Sequence, residues 1–259
     1  MKKALGRLKR QARVVLESMT EPRFSEVRKH TRGMLTPRQY RAIYDRVRNS
    51  EDLDVVDIGS AGGGTPITHA LAKKDAGHRS ATIAIEKCEG GSRAEYGGYS
   101  DNREFLEGNF SRFGVADRIR LFPHYLTYEN AADLFELIKT DKIAGFMHDA
   151  DGRIDRDFQL FGPRLADRNF VIIDDVTKNV KFRPISAEYP FGGCKNIITW
   201  RLLEYLKNKD LFVEDRRLGP IVIGHVPVGA DFEAIEPSEC DSIIDGVMAE
   251  HASAMAARD

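Results

Sequence analysis

One stretch constrains the fold more than any other: Leu53-Asp-Val-Val-Asp-Ile-Gly-Ser-Ala-Gly-Gly-Gly-Thr65. Leu53, Val55, Val56 and Ile58 form a short apolar run of the kind a strand buried on both faces needs. Gly59 ends it, glycines follow at 62, 63 and 64, and Thr65-Pro66 reads as a cap and first-turn proline opening a helix. Glycines let a ligand approach backbone that side chains would cover, and a helix start points unpaired N–H groups at it.

The loop excludes two common ligand sites. A phosphate loop would end in Gly-Lys-Ser/Thr, and this one has no lysine. A dinucleotide loop, G-x-G-x-x-G, would need glycine where Ala61 stands. Asp57-x-Gly59-x-x-x-Gly63 instead resembles the first motif of class I S-adenosylmethionine (SAM) methyltransferases. SAM carries an amino-acid end and no pyrophosphate, so an acid beside the loop suits it. The resemblance implies that Asp57 holds the ammonium, directly or through water, with Gly59, Ser60, Ala61, Gly63 and Thr65 lining the remainder.

Downstream, strand and helix patterns alternate. Ser80–Glu86 reads as a second strand ending in an acid about twenty residues past the glycine loop, where nucleoside-binding folds hold ribose hydroxyls. Glu86 is therefore the ribose candidate, against the plainer reading of an exposed strand-end charge. Residues 88–101 hold four glycines and two tyrosines, the composition of a lid or of a surface excursion. Arg118–Phe122, Ile143–Met147 and Asn169–Ile173 are the next strands, with helices expected over 130–139 and 156–165. Two of these strands run into acids, His148-Asp149-Ala150-Asp151-Gly152 and Asp174-Asp175. Carboxylates converging at one sheet edge favour a cation, and hard oxygen ligands suit Mg²⁺ or another divalent ion. Asp149, Asp174 and Asp175 are thus a candidate metal site, or else caps and loop anchors.

Leu202, Leu203 and Leu206 mark a further helix that also carries Trp200, Leu211–Val213 and Ile221–Ile223 a closing strand pair, and Ser238 the start of a last amphipathic helix. Ahead of the first strand, Leu5, Leu8, Ala12, Val15 and Met19 make a narrow apolar stripe on a basic helix, suited to packing on the domain or on a second subunit. Thr36-Pro37-Arg38-Gln39 has the capping-box pattern, followed by the apolar face Tyr40, Ile43, Tyr44 and Val47. The expected fold is α/β: a Rossmann-like, doubly wound, mostly parallel seven-stranded sheet with helices on both faces, extra N-terminal helices and a C-terminal helix. The expected divisions are a helical cap at 1–50, a SAM-binding methyltransferase domain at 51–226 and an acidic tail with a helix at 227–259.

Charge bears on partners. The net charge of −1 argues against a general nucleic-acid binder, although residues 1–50 carry fourteen Lys/Arg against four Asp/Glu. No apolar run is long enough to span a membrane, and no continuous apolar segment follows the basic start as a secretion signal would require. Three cysteines without metal spacing fit a reducing cytoplasm.

Together Val55–Thr65, Glu86–Val115, Phe146–Leu165 and Phe170–Val176 resemble the small-molecule methyltransferase family that includes macrocin O-methyltransferase-like and cephalosporin-hydroxylase-like enzymes. Asp149-Ala-Asp151 matches an Asp-Gly-Asp-His-type motif of that family, with Gly152 in place of the histidine, and Asp174-Asp175 its paired acids. Residues 167–169, Asp-Arg-Asn, replace a Pro-Gly-Gly turn. The resemblance implies SAM-dependent O-methylation of a small-molecule hydroxyl assisted by Mg²⁺, with Asp149 as a catalytic residue touching both cofactor and metal. His148 is a candidate base if it faces the pocket, against the plainer reading of a core or strand-end histidine, and Lys178 is the other candidate. Metal-free N- or C-methylation, or a non-catalytic SAM- or nucleotide-binding subunit acting through its basic N-terminal helices, are the alternatives. A homodimer is compatible with the N-terminal stripe.

Overall fold

The computed structural model describes residues 16–88, 102–178, 191 and 193–257. Leu5, Leu8, Ala12 and Val15 of the N-terminal stripe, all of the expected lid at 88–101 except Cys88, and most of the 176–193 segment lie outside them. The strands are β1 (Asp54–Ile58), β2 (Thr82–Ile85), β3 (Ile119–Phe122), β4 (Ile143–His148), β5 (Leu165–Ile173), β6 (Val213–Leu218) and β7 (Ile221–His225). The helices are α1 (Pro22–His30), α2 (Pro37–Arg48), α3 (Gly64–Ala76), α4 (Arg103–Arg112), α5 (Ala131–Phe135), α6 (Ile154–Phe161), α7 (Lys195–Asn208) and α8 (Pro237–Ala256). The strands make one mixed sheet in the order β3-β2-β1-β4-β5-β7-β6. β2 pairs β3, β1 pairs β4 and β4 pairs β5 in parallel, while β7 runs antiparallel to β5 and β6. This is the Rossmann-like, mostly parallel seven-stranded architecture expected from the sequence. Chain order reverses at β1, so the carboxyl ends of β1 and β4 form the switch point at which open α/β sheets bind ligands.

Two compact units divide the chain, one holding Met1–Asp52 with Ser60–Tyr125, the other Leu53–Gly59 with Leu126–Asp259. In the first, the Thr36 capping box forms as expected: Gln39 N–H donates to the Thr36 hydroxyl at 3.3 Å, and Thr36 N–H to Gln39 Oε1 at 2.8 Å. Tyr40, Ile43, Tyr44 and Val47 are buried, and α2 packs along α3. Met19, the one described member of the N-terminal stripe, is 77% exposed, and so is not part of this core.

In the second unit every residue of β1 and β4 is buried. The amphipathic α6 covers β4: Phe158 meets Phe146 edge-on at 5.4 Å and Phe212 at 6.1 Å, while Phe161 lies 5.7 Å from Phe146. Each such ring contributes about 1.5–3 kcal/mol through burial. α6 is shorter than the expected 156–165 helix at its C-terminal end, because Gly162–Arg164 turns as a 3₁₀ segment and Leu165 already starts β5. α5 likewise covers only part of 130–139. On α8, Cys240, Ile244, Val247 and His251 form the buried face, against α7. No helix among the described residues is long and apolar enough to cross a membrane.

Candidate active site

In the first unit, the loop after β1 is fixed by its own backbone and by two amides. Ser60 N–H donates to Ile85 O at 3.1 Å and Gly63 N–H to Ser60 O at 2.8 Å. Asn102 Nδ2 donates to Ala61 O and Asn109 Nδ2 to Gly62 O, both at 2.9 Å. The sequence reading missed these two; their spacing of seven, two helical turns on one face, was the available signal. Glu86, directly after β2, accepts the Ala61 N–H at 2.5 Å. The acid named for ribose therefore lies against the glycine loop. Gly63 sits at φ +93° as the N-cap of α3, so the helix begins at Gly64. This corrects the capping role expected for Thr65, which is the second residue of the helix, with Pro66 third: a left-handed glycine has already made the turn.

Two of the loop glycines serve the protein itself. A Cβ at Gly62 would lie 2.2 Å from Thr31 O, and one at Gly64 2.2 Å from the Tyr40 hydroxyl. The N-terminal helices press on this loop, and only hydrogen fits between.

In the second unit, Asp57 is buried near the end of β1. Gly59 follows at φ +89°, where a Cβ would stand 2.2 Å from Asp149 O, and Asp149 N–H donates to Ile58 O at 2.8 Å. The switch point thus brings Gly59 and Asp149 into backbone contact. His148 is buried beside them. The Gly152 amide can only donate, so His148 Nε2 accepts it at 3.1 Å, and Nδ1 carries the proton that goes to Asp157 Oδ2 at 2.5 Å. Asp157 also accepts from Arg156 Nε at 2.9 Å, and Arg156 Nη1 donates to Asp151 Oδ2 at 2.8 Å and to Leu126 O at 3.0 Å. With both ring nitrogens engaged, His148 is placed as the core histidine that was the alternative to a base, and it ties β4 to α6. Asp151 belongs to the same buried network. Lys178, the other expected base, sets its ammonium over the Trp200 ring at 4.4 Å.

Asp174 and Asp175 follow β5. Asp174 N–H donates to His148 O at 2.9 Å, and Asp175 N–H to Asp174 Oδ1 at 2.6 Å. Burial and the charges of Asp149 and Asp175 push the Asp174 carboxyl well above the usual carboxylate range. Asp175 has φ +61°, strained for a residue with a side chain. Asn196 Nδ2 donates to its Oδ1 at 2.8 Å. The sequence reading also missed Lys195, whose Nζ lies 2.6 Å from Asp175 Oδ2, 3.3 Å from Ala150 O and 3.6 Å from Asp149 Oδ1. These carboxylates raise the Lys195 pKa against the opposing effect of burial.

The expected divalent ion does not fit this arrangement. Among the described residues no group of three or more His, Cys, Asp or Glu is arranged to hold a metal ion. An ion ligated by Asp149 and Asp175 would lie within about 4 Å of the ammonium, a repulsion of about 8 kcal/mol at an effective dielectric constant of about 20. The acids converge at this edge, and the chain sets its own cation, Lys195, between Asp149 and Asp175.

No protein-family model matches the sequence. No curated protein matches it either. Solved structures do. The O-methyltransferase TomG from Streptomyces achromogenes, in complex with SAM, is 15% identical over 79% of this chain and 89% of its own, with a TM-score of 0.53. The SAH-bound Podospora anserina methyltransferase PaMTH1 is 12% identical over 78% and 87%, at 0.55. Cofactor-bound Rv0187 from MTB is 15% identical over 83% and 95%, at 0.58. The chain has the fold of the class I methyltransferases.

Proposed function

We propose that the protein is a SAM-dependent methyltransferase that methylates a hydroxyl of a small molecule. One observation carries this reading: the acid directly after β2 lies against the glycine loop, Glu86 on the Ala61 amide, the neighbourhood in which nucleoside-binding folds hold a ribose. The fold shared with SAM- and SAH-bound O-methyltransferases supports it. Bound SAM supplies an activated methyl group on a sulfonium. Glu86 accepts from the ribose hydroxyls, and Asp57 with the backbone of Gly59, Ser60, Ala61 and Gly63 holds the amino-acid end. Thr65 stands in the first turn of α3, whose start offers N–H groups to the cofactor carboxylate. Asp149, at the carboxyl end of β4, takes the acceptor's hydroxyl proton. The task of these residues is to hold acceptor oxygen, methyl carbon and sulfur in line, which is chiefly orientation.

Calorimetric titration with S-adenosylhomocysteine (SAH), with NADH as control, tests the reading. The expected result is saturable SAH binding that Glu86→Gln weakens about tenfold, the scale of one lost charge-assisted hydrogen bond. Binding of NADH and not SAH would remove the proposal.

A further inference from the structure

We propose that Lys195 is the resident cation of the acid edge, bridging Asp149 and Asp175 where a metal-assisted enzyme would place a divalent ion, and that it binds the acceptor oxygen in that ion's stead. The inference deepens the O-methyltransferase reading and rests on it.

Three observations lead there. Lys195 is the first residue of α7, the end of a helix where the macrodipole disfavours a cation. A lysine serving only the helix would project into solvent; this one turns back to Asp175 at 2.6 Å and Ala150 O at 3.3 Å. The mount is rigid, because the next residue, Asn196, holds the other oxygen of Asp175 at 2.8 Å. And the cluster stays open: the side chains of Lys195, Asp149 and Asp175 are 33%, 23% and 24% exposed, so a hydroxyl can reach them.

The ammonium has three N–H donors. Asp175 and Ala150 engage two of them, and Asp149 Oδ1, at 3.6 Å, is too distant for a hydrogen bond. A hydroxyl oxygen entering beside Nζ and Asp149 accepts from the ammonium and donates its proton to the carboxylate. A lone pair of that oxygen then forms the O–CH₃ bond as the C–S bond breaks. The C–S pair returns to sulfur, the sulfonium becomes the neutral thioether of SAH, and the hydroxyl proton passes through Asp149 to water. The ammonium keeps its own protons throughout and stabilises the developing oxyanion, the work otherwise done by a Lewis acid.

The test is Mn²⁺ binding, followed by electron paramagnetic resonance on the full chain, for wild type, Lys195→Met and Lys195→Arg, with SAH calorimetry on the same samples. Wild type and Lys195→Arg are expected to show no saturable site below about 1 mM, the weak end of carboxylate cation sites. Lys195→Met, which keeps the apolar stem and uncovers the carboxylates, is expected to gain one Mn²⁺ per chain at least about tenfold tighter than wild type, a difference of about 1.4 kcal/mol. One Mn²⁺ per wild-type chain at micromolar concentration would overturn the assignment, as would a folded Lys195→Met that gains none. If Lys195→Met does not fold, the wild-type and Lys195→Arg titrations decide: Mn²⁺ bound to either overturns it, and bound to neither supports it. Absence of SAH binding sinks the methyltransferase reading, while the Mn²⁺ titrations still judge the cation.

Discussion

Asp157→Asn is the sharpest probe of the network behind β4. Asp157 is fully buried and gives one oxygen to His148 Nδ1–H at 2.5 Å and the other to Arg156 Nε at 2.9 Å. Asparagine has the same shape but only one acceptor. If its carbonyl turns to Arg156, its NH₂ faces the His148 N–H, donor against donor. The imidazole escapes only by moving its proton to Nε2, where it meets the Gly152 amide, another donor at 3.1 Å. If the amide flips, the NH₂ faces the guanidinium. Either way a buried donor is left unsatisfied, about 1–3 kcal/mol, and a charge-assisted bond is lost, about 1.5–3 kcal/mol. Arg156 keeps Asp151, so the loss should stay near the lower half of the sum, about 3 kcal/mol, or roughly 6–12 °C in Tm for a chain of this size. Urea unfolding measures it, with an unchanged m-value showing that stability alone moved. Nitrogen-15 NMR of wild-type His148 supplies the second reading, a protonated Nδ1 and an unprotonated Nε2. A loss below about 1 kcal/mol, or a proton found on Nε2, would refute the hydrogen-bond assignment.

Other perturbations are simpler. Gly59→Ala puts a methyl 2.2 Å from the Asp149 carbonyl at φ +89°, so soluble yield and Tm should fall sharply, and a wild-type Tm would show that β1 and β4 do not meet as described. Phe158→Ala removes a buried ring from the Phe146–Phe212 cluster and should cost about 3–5 kcal/mol in chemical denaturation. Glu214 is held down at about 2 by its hydrogen bonds to Arg217 and then Lys207, against the effect of burial. An acid depressed in the folded state contributes stability above its unfolded pKa and loses it as pH falls through the folded value. The Tm gap between wild type and Glu214→Gln should therefore be full at pH 7 and close between about pH 4.5 and 2; a gap that persists at pH 2 would show that packing, not charge, is involved.

The sheet was legible because its central strands are short, mostly apolar runs. Val55–Ile58 (broken only by Asp57), Ile143–Met147 and Phe170–Ile173 have no other place to go than a core covered on both faces. The beginning of β5 was not legible. Asp167 and Arg168 are exposed and read as a turn, yet they are in the strand, and the β4 pairing jumps from Ile143–Leu165 to Gly145–Phe170 around them. An irregular register leaves no period in the sequence for such residues to follow. At the site, the acids at the ends of β4 and β5 could be found by position along the chain. The partner that neutralises them comes from α7, roughly twenty residues beyond β5, and nothing local announces it. His148 shows the converse limit: its place before an acid allows a base or a core histidine, and the choice depends on Asp157 and Gly152, which only the fold brings to it.

The contact between Gly64 and Tyr40 makes the two positions epistatic. With tyrosine at 40, a methyl at 64 collides with the phenol oxygen at 2.2 Å. In a Tyr40→Phe background that oxygen is gone and the nearest atom is the ring carbon at 3.0 Å, so the penalty of Gly64→Ala should shrink. The residue at 40, on an N-terminal helix, thus sets what the glycine loop tolerates at 64.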